Sequence, residues 1–198
     1  MDILETARMI TFHRRRLGQS PLKELGWRDA HSQVVRFDAL CRWGDLSGKV
    51  VLDLGCGHGD LKPHLDARFA DVKYLGLDIM PEFVEEARRR YGNLPDTHFL
   101  QANFLTTGLP DVDVVLACGS LNYWTENVLH PEPTILKMWE IAKLGVAFNL
   151  LDENEFASDQ VLCGHDPDQI LSFCRNLEPT AEIDHGYSPE DFTILMRR

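Results

Sequence analysis

From about residue 48 to residue 151, short unbroken apolar runs alternate with amphipathic stretches. The runs Lys49–Leu54, Lys73–Asp78, Thr97–Gln101, Val112–Ala117 and Val146–Leu151 have the length and composition of buried strands. Between them, about Asp60–Phe69, Pro81–Tyr91 and Glu132–Leu144 read as helices, the second opened by its proline. Apolar strands separated by helices predict a parallel sheet covered on both faces. Upstream, residues 2–16 and 28–42 read as helices, parted by Gly18, Pro21 and Gly26. Downstream, Asp166-Pro167-Asp168-Gln169 forms a helix start with a carboxylate cap and proline in the first turn. Two further strands, Thr180–His185 and Asp191–Arg197, flank Gly186, Ser188 and Pro189, which predicts a hairpin.

The expected fold is therefore α/β: a Rossmann-like doubly wound sheet, mostly parallel, with an antiparallel C-terminal hairpin strand and an N-terminal helical extension. One domain accounts for residues 1–198, with 1–47 as the helical extension and 48–198 as the core. The extension carries Trp27, Phe37, Leu40 and Trp43, which must pack somewhere. The open carboxyl edge of the sheet is the place that most needs cover, so the extension is expected to act as a lid. Packing on an outer helix is the alternative.

Chemistry enters at Asp53-Leu54-Gly55-Cys56-Gly57-His58-Gly59-Asp60, where the first strand runs into a glycine turn and then a helix. Glycines let a chain turn sharply and let a ligand approach without a Cβ in the way. In an open α/β sheet this is the expected binding crevice. A nicotinamide site needs G-x-G-x-x-G, but Asp60 stands at the third-glycine position, close to where a pyrophosphate would lie. Asp78 ends the second strand about twenty residues further on, where a carboxylate can accept both ribose hydroxyls. His58, inside the turn, reads as a surface filler. Trp139 shares a helix face with Ile135, Met138 and Ala142 and reads as core.

Over residues 48–150 these features resemble the class I S-adenosylmethionine (SAM)-dependent methyltransferases, of a bacterial small-molecule type. Asp53–Gly59 is similar to their D-x-G-x-G-x-G motif. The resemblance implies a SAM site, with S-adenosylhomocysteine as the product left behind. It implies Asp78 on the ribose, Ile79, Asn103 and Phe104 at the adenine, and Asp53, Gly55, Cys56, Gly57 and Cys118 along the rest of the cofactor. Asn103 stands where Asp is commoner. Val114–Gly119 is similar to the fourth motif, and the hairpin fits the family's antiparallel seventh strand. After the fourth strand, Ala117-Cys118-Gly119-Ser120-Leu121-Asn122-Tyr123 lacks the Asn-Pro-Pro-Tyr pattern of DNA-base and protein-glutamine methylation. Arg36 is a candidate for the methionine carboxylate, since Arg binds carboxylates through two parallel N–H bonds; a surface salt bridge is its other reading. Tyr123, His130 and His165 follow ligand-facing strands and are candidates for a general base or for ordinary loop roles. Tyr187 either helps close the site or packs at the hairpin turn.

Charge narrows the partners. Twenty Lys and Arg against 31 Asp and Glu leave a formal charge of −11, which repels phosphate backbones and anionic membranes. The basic runs His13–Arg16 and Arg88–Arg90 read as solvated helix faces. A nucleic-acid substrate is thus disfavoured and no membrane is expected, and the resemblance implies a small-molecule acceptor. Five widely spaced cysteines without a CxxC pair predict no metal site and a reducing, cytoplasmic setting. The expected activity is SAM-dependent methyl transfer. The alternatives are a SAM-binding module without turnover and an NAD-dependent oxidoreductase.

Overall fold

The computed structural model describes residues 3–127 and 130–198. Five parallel strands run β1 (Val50–Leu54), β2 (Lys73–Asp78), β3 (Thr97–Gln101), β4 (Val112–Ala117) and β5 (Ala142–Leu151). Two more, β6 (Glu182–Asp184) and β7 (Asp191–Arg197), pair antiparallel to close one side. The order across the sheet is β3-β2-β1-β4-β5-β7-β6. From β1 the chain first winds outward through β2 and β3, then returns to start β4 on the other flank of β1. The switch point between β1 and β4 leaves a crevice at the carboxyl edge.

The two-residue period of each strand divides its side chains between two cores. Leu52, Val115, Phe148, Ile194 and Met196 face α6 (Glu132–Ile141) and α7 (Pro167–Leu177). Val51, Val114, Leu116, Ala147 and Leu195 face α3 (Ala30–Cys41), α4 (Leu61–Asp66) and α5 (Pro81–Tyr91). Caps set the helix starts. Asp29 and Ser32 form a reciprocal capping box on α3, and the Asp166 carboxylate accepts the N–H groups of Asp168 and Gln169 at 2.9 and 3.2 Å. Trp139 is partly buried against the core.

Several boundaries differ from the expectation. The helix expected to reach Leu144 ends at Ile141, and β5 begins at once with Ala142. Tertiary pairing with β4 extends that strand by four residues over the predicted start at Val146. The strand expected over Thr180–His185 shrinks to Glu182–Asp184. The N-terminal segment folds as α1 (Ile3–Arg14), α2 (Pro21–Glu24) and α3. Helix α2 falls within the expected break at Gly18–Gly26, because its four residues are too short for a periodic signal.

Gly145 locks the junction of β4, β5 and β7. It sits at φ 152°, and an added Cβ would lie 2.0 Å from the Met196 carbonyl oxygen and 2.9 Å from Trp43 Nε1. That indole N–H donates to the same carbonyl at 2.9 Å, so neither neighbour can yield. Gly145→Ala is expected to lower stability by at least about 2 kcal/mol, from strain and overpacking together. Urea unfolding checks this; a change under about 0.5 kcal/mol contradicts it.

Candidate active site

The site begins with a turn pinned from the neighbouring strand. Leaving β1, the N–H groups of Gly55 and Cys56 both donate to the Leu77 carbonyl of β2, at 2.8 and 3.0 Å. The next free donor, Gly57 N–H, bonds the Asp78 carboxylate at 2.9 Å, and Met80 N–H bonds its other oxygen at 2.8 Å. Gly55, Gly57 and Gly59 all have positive φ, which glycine adopts without a Cβ penalty. From the other side Ser120 Oγ donates to the Leu54 carbonyl at 2.6 Å. Asn149 in β5 holds the end of β4: its Oδ1 accepts Gly119 N–H at 2.7 Å, and its Nδ2 faces Cys118 Sγ at 3.5 Å.

Above this floor lies a cavity of about 440 Å³. Its wall includes Arg36, Asp53, Gly55, Cys56, Gly57, Asp78, Ile79, Asn103, Phe104 and Cys118, together with Tyr123 and His130. All ten residues expected at the cofactor thus surround one space. His165 does not reach it. Its backbone N–H donates to the Leu151 carbonyl, and its ring packs 6.0 Å from that of His130, with burial pushing its pKa down to about 4. His130 Nε2 faces the Leu121 carbonyl at 3.0 Å and so carries the proton on that nitrogen. Tyr187 bonds Thr193 Oγ1 at 2.8 Å, the hairpin-packing reading.

Electrostatics set the floor's character. Burial pushes the Asp53 carboxyl up to about 7, although the Tyr74 hydroxyl donates to it. Burial also raises Asp78, against the pull of its backbone donors. The Cys118 thiol, raised to about 12 by burial, is no nucleophile at neutral pH.

The N-terminal segment forms the roof. Met9, Phe12, His13, Leu25, Trp27, Gln33 and Phe37 all line the cavity. Leu25 covers Gly57 so closely that a Cβ there would lie 2.6 Å from its Cδ2, and Trp27 stands in the same relation to Gly119 at 3.2 Å. Arg36 is neither on the surface nor free. Its Nε and Nη2 bond the two oxygens of Asp191 at 2.9 and 2.5 Å, and its Nη1 bonds the Ser32 carbonyl. Of five guanidinium donors, two remain for a ligand.

Two readings change here. His58, expected on the surface, is buried, with its ring edge-on to Phe83 and its Nε2 3.3 Å from the Glu24 carboxylate. His13, expected on a solvated basic face, turns inward. Its Nδ1 meets the Glu24 carbonyl at 2.9 Å and its Nε2 the Tyr123 hydroxyl at 2.6 Å. A signal was available: Glu5, Met9 and His13 recur every four residues and form the buried face of α1.

Residues 51–134 match the family described as a methyltransferase domain. A Mycobacterium tuberculosis protein provisionally named methyltransferase Rv1506c is 31% identical over 156 residues, which is 75% of this chain and 92% of that protein. A trans-aconitate 2-methyltransferase of Mycobacterium sp. (strain KMS) is 36% identical over 105 residues, 52% of this chain and 37% of its own length. A fatty-acid O-methyltransferase of Mycolicibacterium smegmatis is 36% identical over 91 residues, 46% of this chain and 32% of its own length. The chain spans about a third of the length of these last two. Among solved structures, the N-methyltransferase NodS of Bradyrhizobium japonicum WM9, in complex with S-adenosyl-L-homocysteine, superposes with a TM-score of 0.71 at 16% identity. That match covers 96% of this chain and 98% of NodS. Magnesium protoporphyrin IX methyltransferase (ChlM) of Synechocystis PCC 6803 gives 0.69 at 16%, covering 96% and 97%.

Sheet order, glycine turn and antiparallel last strands are those of the Rossmann-like methyltransferase fold. The chain belongs to the methyltransferase family, and its activity is methyl transfer.

The Arg36–Asp191 pair ties α3 to β7, with side chains only 9% and 1% exposed. Removing one partner leaves a buried charge uncompensated. Arg36→Ala is expected to cost about 3–5 kcal/mol in urea unfolding, and Arg36→Met with Asp191→Leu to recover most of it. A single variant within about 1 kcal/mol of wild type contradicts the assignment.

Proposed function

We propose that the methyl donor is SAM, bound in the carboxyl-edge cavity, and that the acceptor is a small molecule entering beside Tyr123. The observation that supports this most is the Asp78 carboxylate. A carboxylate offers about four lone-pair sites, and the bonds from Gly57 and Met80 occupy one on each oxygen. The Ile79 N–H also bears on this carboxylate, and the acceptor capacity that remains toward the cavity suits ribose hydroxyls. Ile79 and Phe104 offer an apolar rest for adenine, and Asn103 an amide at its edge. The methionine part would lie over Gly55–Gly57 and Cys118, its carboxylate near the two free donors of Arg36. Lys137 holds the loop beneath Phe104, donating to the carbonyls of Phe104 and Thr107.

The sulfonium of SAM supplies an already activated methyl group. The chain's own work is then alignment of the acceptor and exclusion of water. Residues 1–47 serve as a lid in this reading, with Leu25 and Trp27 resting on the turn that contacts the donor. The acceptors in the relatives' names, trans-aconitate and a fatty acid, are small carboxylic acids, which supports a small-molecule acceptor here without naming it. A cytoplasmic setting agrees with the free cysteines, and among the described residues no helix is long and apolar enough to cross a membrane.

Calorimetry tests the donor site. Wild type is expected to bind SAM and S-adenosylhomocysteine and not NAD. Asp78→Asn keeps an acceptor for the glycine turn but loses the charge and one acceptor, and should weaken SAM binding roughly tenfold or more. Unchanged affinity in that variant, or binding of NAD alone, overturns the reading.

A further inference from the structure

The contact between α1 and the loop after β4 is a hydrogen-bonded chain whose direction is fixed by its partners. Its inner end is the Glu24 backbone carbonyl, which can only accept. His13 Nδ1, 2.9 Å away, must therefore carry a proton and donate it. In a neutral imidazole the other nitrogen is then a bare lone pair. His13 Nε2 accepts, and the Tyr123 hydroxyl 2.6 Å away is the donor. Both side chains stand on the cavity wall, with the His13 ring buried and Tyr123 partly exposed. The carbonyl orients the base, the base faces the hydroxyl, and Tyr123 and His13 both line the cavity that holds the proposed donor site.

We propose that Tyr123 and His13 form a proton relay that deprotonates a weakly acidic aromatic hydroxyl as it is methylated. It rests on the SAM reading above. The acceptor O–H bond breaks as its proton passes to the Tyr123 oxygen, while the Tyr123 proton passes to His13 Nε2. The acceptor oxygen forms its bond to the methyl carbon as the sulfur–methyl bond of the sulfonium breaks, leaving a neutral thioether. One positive charge is present throughout, first on sulfur and then on the imidazolium, which returns its proton to water when the product leaves. Tyr123 acts as a conduit and His13 as the terminal base.

The surroundings suit each role. Burial raises the Tyr123 phenol well above its ordinary range, so it does not stand as a free phenolate. Burial, with the charges of Arg16 and His58, lowers His13 and keeps it neutral with its Nε2 lone pair free to accept, while its bond to the Glu24 carbonyl acts in the opposite sense and supports the imidazolium once formed. The groups that bear on the pair are Arg16 just beyond α1, His58 in the glycine turn with the Glu24 carboxylate against it, and Asp78 at the end of β2. Phe12 and Phe83 pack edge-on to the imidazole.

The acceptor class follows from charge and shape. Among the described residues the cavity wall carries two arginines and no lysine. Arg36 is paired with Asp191, and Arg28 lies 3.4 Å from Glu190. Asp53, Asp60 and Asp78 also face the space. An anionic carboxylate acceptor would find little compensation there and would need no base. Phe12 and Phe83 stand against the relay, and Met9, Trp27, Leu121 and Phe156 line the same cavity. A flat, uncharged molecule with a phenolic hydroxyl fits these surroundings.

Two probe acceptors of different acidity test this, with methyl transfer from labelled SAM followed at about pH 8, where 4-methylphenol is un-ionised and 4-nitrophenol largely ionised. Wild type is expected to methylate both, 4-nitrophenol with the higher KM because its anion finds little compensating charge in the cavity. In His13→Gln and Tyr123→Phe, the ratio of kcat/KM for 4-methylphenol to that for 4-nitrophenol should fall about 10²–10⁴-fold, because only the un-ionised probe needs a base. A purely structural role for the pair would depress both probes together and leave the ratio unchanged. Tyr123→Phe removes only a hydroxyl and carries the test should His13→Gln fail to fold. SAM affinity measured on the same proteins separates the two levels: SAM bound with an unchanged ratio, or no transfer to either phenol by wild type, overturns the relay alone. Absence of SAM binding removes the donor reading and the relay with it.

Discussion

The carboxyl end of β2 holds the site together. Leu77 and Asp78 present a carbonyl and a carboxylate to the turn that leaves β1, and three successive N–H groups of that turn bond to them. A turn with three glycines in positive φ has high conformational entropy when free. Buried acceptors on a central strand fix it at little further cost, because each orphan N–H then has a partner. The same carboxylate closes the turn and lines the cavity, so the integrity of the glycine loop and the proposed donor site share one side chain.

A second constraint comes from the roof. The segment before β1 covers polar ground, and polar ties from separate elements hold it there. Arg36 reaches Asp191 at the start of β7, His13 reaches Tyr123 beyond β4, and Glu24 reaches His58 in the glycine turn. Each tie joins the roof to a different wall of the cavity. Burial makes their geometry exacting, since a desolvated charge or imidazole without its partner is expensive. A cover held this way can bring chemistry to the site as well as exclude water from it.

Much of this was legible in the chain. The five parallel strands, the glycine turn, Asp78 and the terminal hairpin rest on local signals: apolar period, glycine spacing and turn residues. All ten expected donor contacts surround one cavity because strand ends and the loops after them lie side by side in a doubly wound sheet. What escaped has long-range causes. Arg36 meets Asp191 across 155 positions, and His13 meets Tyr123 across 110. Nothing local marks the partner of Arg36, and for His13 the one local sign is the four-residue recurrence of Glu5, Met9 and His13, which shows a buried face but not what it meets. His58 looked exposed because it sits in a turn, yet the roof that buries it comes from a segment more than thirty residues earlier. The start of β5 was missed because pairing with β4 overrides the helical pattern of residues 142–144.

The central claim is that one cavity, floored by the pinned glycine turn and roofed by the N-terminal segment, holds the methyl donor with its ribose on Asp78. A crystal structure of the chain with S-adenosylhomocysteine tests it most directly. The account predicts both ribose hydroxyls within hydrogen-bond distance of the Asp78 carboxylate, with Leu25 and Trp27 closed over the ligand. A ligand bound outside this cavity, or one whose ribose does not touch Asp78, would contradict it.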